Sequence, residues 1–234
     1  MVYVLYFTYK VGYDMKGKLL IIFKSNHGYT KRYVDILGNA LGCDAVPVDK
    51  FRGEMLTGYD KILYIGSVRG SVINGFNKIS SFLDIIYKKL TVCGVGMLPQ
   101  NEERAAVIKD ATISVAYEKF IPVFYAQGGF DMAELSRTER LSINMMLRQI
   151  QAGSLITEDQ TFVMNAAAQP IDEIKQSNIQ HLIDYLDGKN VDEKLYSPPE
   201  ITDEAEEKQF FEEMENAAKA PENKKRALKK KLKK

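Results

Sequence analysis

Tryptophan is absent from this 234-residue chain, cysteine and histidine occur only twice each, and no apolar run approaches the ~20 residues of a membrane-spanning helix. Cys43 and Cys93 form neither a Cys-x-x-Cys pair nor a metal-ligand spacing. Both lie in strand-like apolar surroundings and read as buried free thiols in a reducing cytosol. His27 and His181 are too far apart in sequence to suggest a metal site. The aromatic-rich residues 1–14 lack the basic start and small-residue cleavage site of a secretory signal. Two nucleotide-binding motifs are also missing. No Gly-Lys-Ser/Thr follows the first strand, which excludes a Walker loop, and there is no G-x-G-x-x-G fingerprint.

What is present is a hydrophobic content of 45%, enough to fold most of the chain around a core. The net charge of +1 conceals an asymmetry. Residues 1–188 carry 20 basic and 20 acidic side chains, whereas residues 189–234 carry 12 and 11, segregated into blocks. The chain therefore divides into residues 1–14, a domain over 15–188, and a tail over 189–234. Met15 precedes Lys-Gly-Lys and the first strand. Natural translation is expected to start there, with residues 1–14 an artefact of the start site; an intact mass including Met1 or Val2 contradicts this. The alternative is an extra edge strand built on Val2, Val4 and Tyr6.

The domain is organised around LLIIFKSNHGYT, residues 19–30. The apolar run reads as a buried central strand. Beyond the loop, Tyr33, Ile36, Leu37, Ala40 and Leu41 share a helical face. The loop thus joins a strand's carboxyl end to a helix's amino end, where free N–H groups and the helix dipole favour an anion, usually phosphate. Gly28 permits close backbone approach, and Ser25 and Thr30 supply hydroxyls. An ordinary capped strand–helix turn is the other reading.

The pattern then repeats. Strands are predicted at 18–24, 44–48, 60–67, 90–95 and 120–126, the last blemished by Pro122, which suits an edge. Helices are predicted at 29–42, 76–89, 102–117, 136–151 and 171–186. Alternating strands and helices imply a doubly wound α/β fold, a five-stranded parallel sheet in the flavodoxin-like order 2-1-3-4-5 with helices on both faces. Loops 24–30, 66–75 and 94–101 should meet at the carboxyl end of that sheet. All three are rich in glycine or small polar residues.

Three segments, KLLIIFKSNHGYTKRY, YDKILYIGSVRGSVINGF and VFYAQGGFDMAELSRTERLSINMMLRQI, resemble the flavodoxin-domain family that includes bacterial menaquinone-dependent protoporphyrinogen oxidase. The resemblance covers about residues 16–188 and implies FMN. It places Ser25, Asn26, His27, Gly28, Tyr29 and Thr30 around the 5′-phosphate. Ser67, Val68, Arg69 and Gly70 would line the isoalloxazine edge, and Gly96, Met97, Leu98 and Pro99 its other side. His27 replaces the Thr or Asp often found at its position; it could add charge when protonated or donate one hydrogen bond when neutral. Electron-carrier flavodoxins usually sandwich the ring between aromatics, often Trp and Tyr. Here loops 66–75 and 94–101 have none, so Arg69 or Met97 could cover the ring. That leaves room for a substrate or quinone. The implied function is electron transfer or flavin-dependent oxidoreduction, with protoporphyrinogen oxidase as the narrower alternative. A non-catalytic module of the same fold, binding a partner through its tail, is the alternative of another class. No acid, base or nucleophile stands out as catalytic.

The helix expected at 136–151 carries Arg137, Arg140 and Arg148 beside Leu141, Met145, Met146, Leu147 and Ile150. It is either a packed helix with solvated arginines or an amphipathic docking surface. In the tail, residues 192–215 hold ten acids and two bases, and residues 224–234 hold eight bases in eleven. Such blocks are usually solvated. The basic end could fold back on the acidic segment, meet anionic lipid headgroups at about 1 kcal/mol per lysine, or bind nucleic acid without sequence preference. A cytoplasmic protein, peripheral to the membrane's inner face in the lipid case, is the expectation. Unchanged partitioning to anionic vesicles after deletion of 221–234 would remove the membrane reading.

Overall fold

Strand β1, Leu19–Lys24, is buried over Leu19–Phe23 and forms the spine of the sheet. The computed structural model describes residues 17–189. β1 pairs in parallel with β2 (Asp44–Pro47) on one side and β3 (Lys61–Arg69) on the other. A two-residue strand β4 (Val72–Ile73) folds back antiparallel on the end of β3. β5 (Leu90–Gly96) pairs in parallel with β3, and β6 (Val123–Gln127) with β5. The order β2-β1-β3-β5-β6 is the expected 2-1-3-4-5 arrangement once the small β4 is set aside.

Side chains alternate between two buried faces. Leu20, Ile22, Ile62, Tyr64 and Val92 belong to one core, and Leu19, Ile21, Phe23, Leu63, Ile65, Cys93 and Val95 to the other. Period-two alternation with both faces apolar is what a sheet covered on both sides requires. Helix α1 (Tyr29–Leu41) covers the second face with Tyr33, Val34 and Leu37. The first face is covered by Phe76, Ile79, Leu83, Ile86 and Tyr87. Burying a side chain such as Ile22 or Ile65 contributes about 1.5–3 kcal/mol.

The helix expected at 76–89 is instead a chain of 3-10 turns around a four-residue helix α2, Leu83–Ile86. Its apolar spacing is real, because Ile79, Leu83 and Ile86 are buried. Its polar side chains work against a continuous helix: the Ser80 hydroxyl donates to the Asn77 carbonyl at 2.8 Å. Helix α3 is shorter than expected, Glu102–Thr112. There Thr112 Oγ1 accepts the Ile73 amide and Ile113 turns extended into the core. Pro122 sits just before β6, at the sheet edge, and its carbonyl accepts the Val92 amide at 3.0 Å.

Beyond the sheet, β7 (Gly129–Phe130) pairs antiparallel with β8 (Ile171–Asp172). Between them lie α4 (Arg137–Ala152) and α5 (Glu158–Ala168). Both begin with capping boxes, Ser136/Glu139 and Thr157/Gln160. The segment expected as one helix over 171–186 divides into β8, a 3-10 turn at Gln176–Ile179 and helix α6, Gln180–Leu186. Pairing of Ile171 and Asp172 with β7 takes the start of that segment out of the helix. α6 completes the second face with Leu182, Ile183 and Leu186. Expectations for residues 1–14 and for the tail beyond 189 lie outside the described residues.

Cys93 is buried as expected, whereas Cys43 is only half-buried, in the turn after α1. Burial pushes the Cys93 thiol up to about 12 and raises Cys43 less. Alkylation of the native protein is therefore expected at Cys43 alone, with Cys93 reacting only on unfolding. Peptide mapping checks this; labelling of native Cys93 contradicts the packing.

Candidate functional site

The loop between β1 and α1 is built to present backbone N–H groups. Gly28 stands at the amino end of α1 with φ +85°, the left-handed region that glycine enters at little cost. Its carbonyl accepts the Arg32 amide at 3.0 Å, closing the first turn. The Ser25 hydroxyl oxygen accepts the Lys31 amide at 3.3 Å and keeps its own proton to donate. First-turn amides of a helix have no intrahelical partner, so those of Tyr29 and Thr30 are free for an anion by geometry.

The second predicted loop is a hairpin. Val68 and Arg69 pair with Ile73 and Val72, and Gly70 takes φ +62° at the turn. Asn74 joins it to the first loop through a long Nδ2 contact to Asn26 Oδ1, 3.4 Å. Ser67 Oγ is buried without a hydrogen-bond partner, a costly state for a hydroxyl that a ligand would relieve. The third loop is fastened to β6. Tyr125 donates to the Leu98 carbonyl at 2.6 Å, and Gln127 Nε2 to that of Met97 at 3.3 Å. A Cβ on Gly96 would lie 2.7 Å from the Tyr125 hydroxyl, so the bare backbone lets this tyrosine in.

These loops surround a cavity of about 770 Å³, within the range of cofactor sites. Every predicted site residue lines it except Gly28 and Pro99. Gly28 acts through its backbone angle instead. The Pro99 carbonyl accepts from Arg104 Nε. The second and third loops carry no aromatic residue, yet Tyr29, Tyr125 and Phe130 bring rings to the lining from elsewhere. Arg69 lines the space with its guanidinium bonded to Glu139, which lines it too.

The long-range partners were invisible in the sequence. Helix α4 contributes Ile143 and Met146 to the lining, and α5 contributes Asp159 and Val163. α4 is thus a packed helix on one side, with Ile150 buried, while Leu141 and Met145 stay exposed on the other. Arg104 pairs bidentately with Asp159, at 3.0 and 2.6 Å, and so ties α5 to α3. Glu139 Oε2 accepts the Ser136 amide and hydroxyl at 3.0 and 2.7 Å. Its Oε1 meets Arg69 and lies 3.3 Å from His27 Nε2. One carboxylate thus joins α4 to the first and second loops.

The Ser136 hydrogen bonds, then His27 and Arg69, hold the Glu139 carboxyl down to about 2. A depressed folded-state pKa contributes stability in full above the ordinary value of 4.5, and that contribution is lost as pH falls through about 2. Glu139→Gln should flatten this part of the acid-unfolding profile. Identical profiles below 4.5 for both proteins would contradict the contact.

A family model described as a flavodoxin domain matches residues 20–155. Among solved structures, the chain is similar to one described as a flavoprotein from Bacteroides eggerthii DSM 20697, with 16% identity and a TM-score of 0.36 over 58% of this chain and 99% of that one. It is similar to a flavodoxin, WrbA-like protein from Agrobacterium tumefaciens, with 12% identity and a TM-score of 0.33 over 53% and 88%. Two-electron reduced Megasphaera elsdenii flavodoxin gives 14% identity and a TM-score of 0.33 over 47% and 84%. No curated protein matches the chain.

Proposed function

The chain belongs to the flavodoxin domain family, and from that premise we propose that it binds FMN at the carboxyl end of its sheet and serves in electron transfer or as a flavin-dependent oxidoreductase. The observation that carries this reading is the convergence of three loops on one cavity that contains an orphaned hydroxyl, Ser67 Oγ. The residues fit the group. The amides of 26–30 with the Ser25 and Thr30 hydroxyls would hold the phosphate. Ser67, Val68, Arg69 and Gly70 would meet one edge of the ring, and Gly96, Met97 and Leu98 the other side. Bound FMN supplies the redox chemistry; the protein supplies anchoring, orientation and electrostatics.

The lining acids Glu103, Asp131 and Glu134 disfavour added negative charge in the cavity. The apolar contributions of α4 and α5 keep water away from part of it. Anaerobic reduction of FMN-loaded protein, followed by reoxidation with small acceptors, tests the redox role. Bleaching and recovery of the visible flavin band are expected. Protein that takes up no FMN, or whose bound FMN no reductant reaches, contradicts the proposal. The narrower reading, menaquinone-dependent protoporphyrinogen oxidation, rests on the Gly128-Gly129-Phe130-Asp131 turn and the Met-rich α4 of the resemblance. It is tested by protoporphyrinogen consumption with a menaquinone analogue.

A further inference from the structure

We propose that Glu139 is an internal competitor for the phosphate end of the ligand: its carboxylate, held from the hairpin side by Arg69, engages His27 of the phosphate loop, and a phosphate ester must displace it from there. This rests on the FMN reading above. Three observations carry it. His27 lies on the phosphate loop and Arg69 on the neighbouring hairpin, yet both face one carboxylate from a helix 70 and more residues away. Arg104, the other arginine of the lining, is paired with Asp159. The lining side chains include five carboxylates, Glu103, Asp131, Glu134, Glu139 and Asp159, against two arginines and His27. An entering phosphate therefore meets an acidic chamber whose arginines are already engaged.

Glu139 is also the third residue of α4, fixed there by its bonds to Ser136. Exchange of the carboxylate for a phosphate at His27 therefore frees the amino end of α4 from the phosphate loop. Ligand entry and loosening of α4 are one event. The residue sets how strongly the site distinguishes a flavin that bears a phosphate from one that does not.

Glu139→Gln separates charge from fold, because glutamine at this position still completes a capping box. FMN and riboflavin are titrated into both proteins by flavin fluorescence. Amide exchange of residues 137–152 is followed with FMN and with inorganic phosphate. The variant should bind FMN about tenfold more tightly, with riboflavin affinity changed less than about twofold. In the unsubstituted protein, FMN or phosphate should speed exchange at the start of α4; in the variant, exchange should be fast already. Equal FMN affinities, or FMN and riboflavin weakened alike, overturn this inference and leave the FMN reading standing. Failure of both proteins to bind FMN overturns both.

Discussion

Gly28→Asp is expected to leave the fold intact and to weaken FMN binding about a hundredfold. The two effects separate because a Cβ at Gly28 meets no atom within 4 Å. The cost to the fold is conformational: a non-glycine residue in the left-handed region loses about 1–2 kcal/mol. Part of that is offset, because a carboxylate near the amino end of α1 gains about 0.3–1 kcal/mol from the helix dipole. The same carboxylate would face the phosphate of the proposed FMN. Unit charges 4 Å apart repel by about 1 kcal/mol in water and about 4 kcal/mol near a protein surface, and each 1.4 kcal/mol is tenfold. Gly28→Ala carries the strain without the charge and should keep most of the affinity. Riboflavin should bind Gly28→Asp nearly as it binds the parent. Flavin titration beside a thermal melt checks this. Equal loss in the Ala and Asp variants would move the effect from electrostatics to backbone geometry.

Gly129→Ala is expected to cost about 1–3 kcal/mol of stability, the usual penalty for overpacking. A Cβ there would lie 2.2 Å from Tyr29 Cε1 and 2.7 Å from the Ile171 carbonyl oxygen. The first neighbour is a side chain at the start of α1, after the first loop; the second is backbone of the β7–β8 pair. Tyr29 also lines the cavity, so a shift of its ring alters the wall of the site. A double-mutant cycle tells the two contacts apart. Tyr29→Ala in the same chain should recover the part due to the ring and leave the part due to Ile171. Denaturant unfolding of the four proteins measures it. Full recovery would mean that β7 yields without cost, and no recovery would mean that the ring already lies elsewhere.

The sheet was legible because its signals are local. Leu19–Phe23 is apolar throughout, and a strand buried on both faces needs such a run. The three loops were legible because glycine and small polar residues follow those strands directly. Three kinds of feature were not. The 76–89 segment has helical spacing, but it folds as 3-10 turns around Leu83–Ile86, with the Ser80 hydroxyl bonded back to the Asn77 carbonyl. Helix α5 announces itself only through Thr157 and Gln160, a capping box in a stretch without a strong apolar face. The pairing of Glu139 with Arg69 spans 70 residues and of Arg104 with Asp159 spans 55. Ser136 and Glu139 could be read as a helix start, but nothing local shows that the carboxylate also reaches two loops. The rings of Tyr125 and Phe130 join the site in the same long-range way.

The most direct measurement is a parallel titration of the full-length protein with FMN and with riboflavin, read by quenching of flavin fluorescence. A phosphate-anchored flavin site predicts saturation at about one FMN per chain and clearly weaker riboflavin binding, the difference arising at residues 25–30. No saturable binding of either flavin, or equal affinity for both, would contradict it.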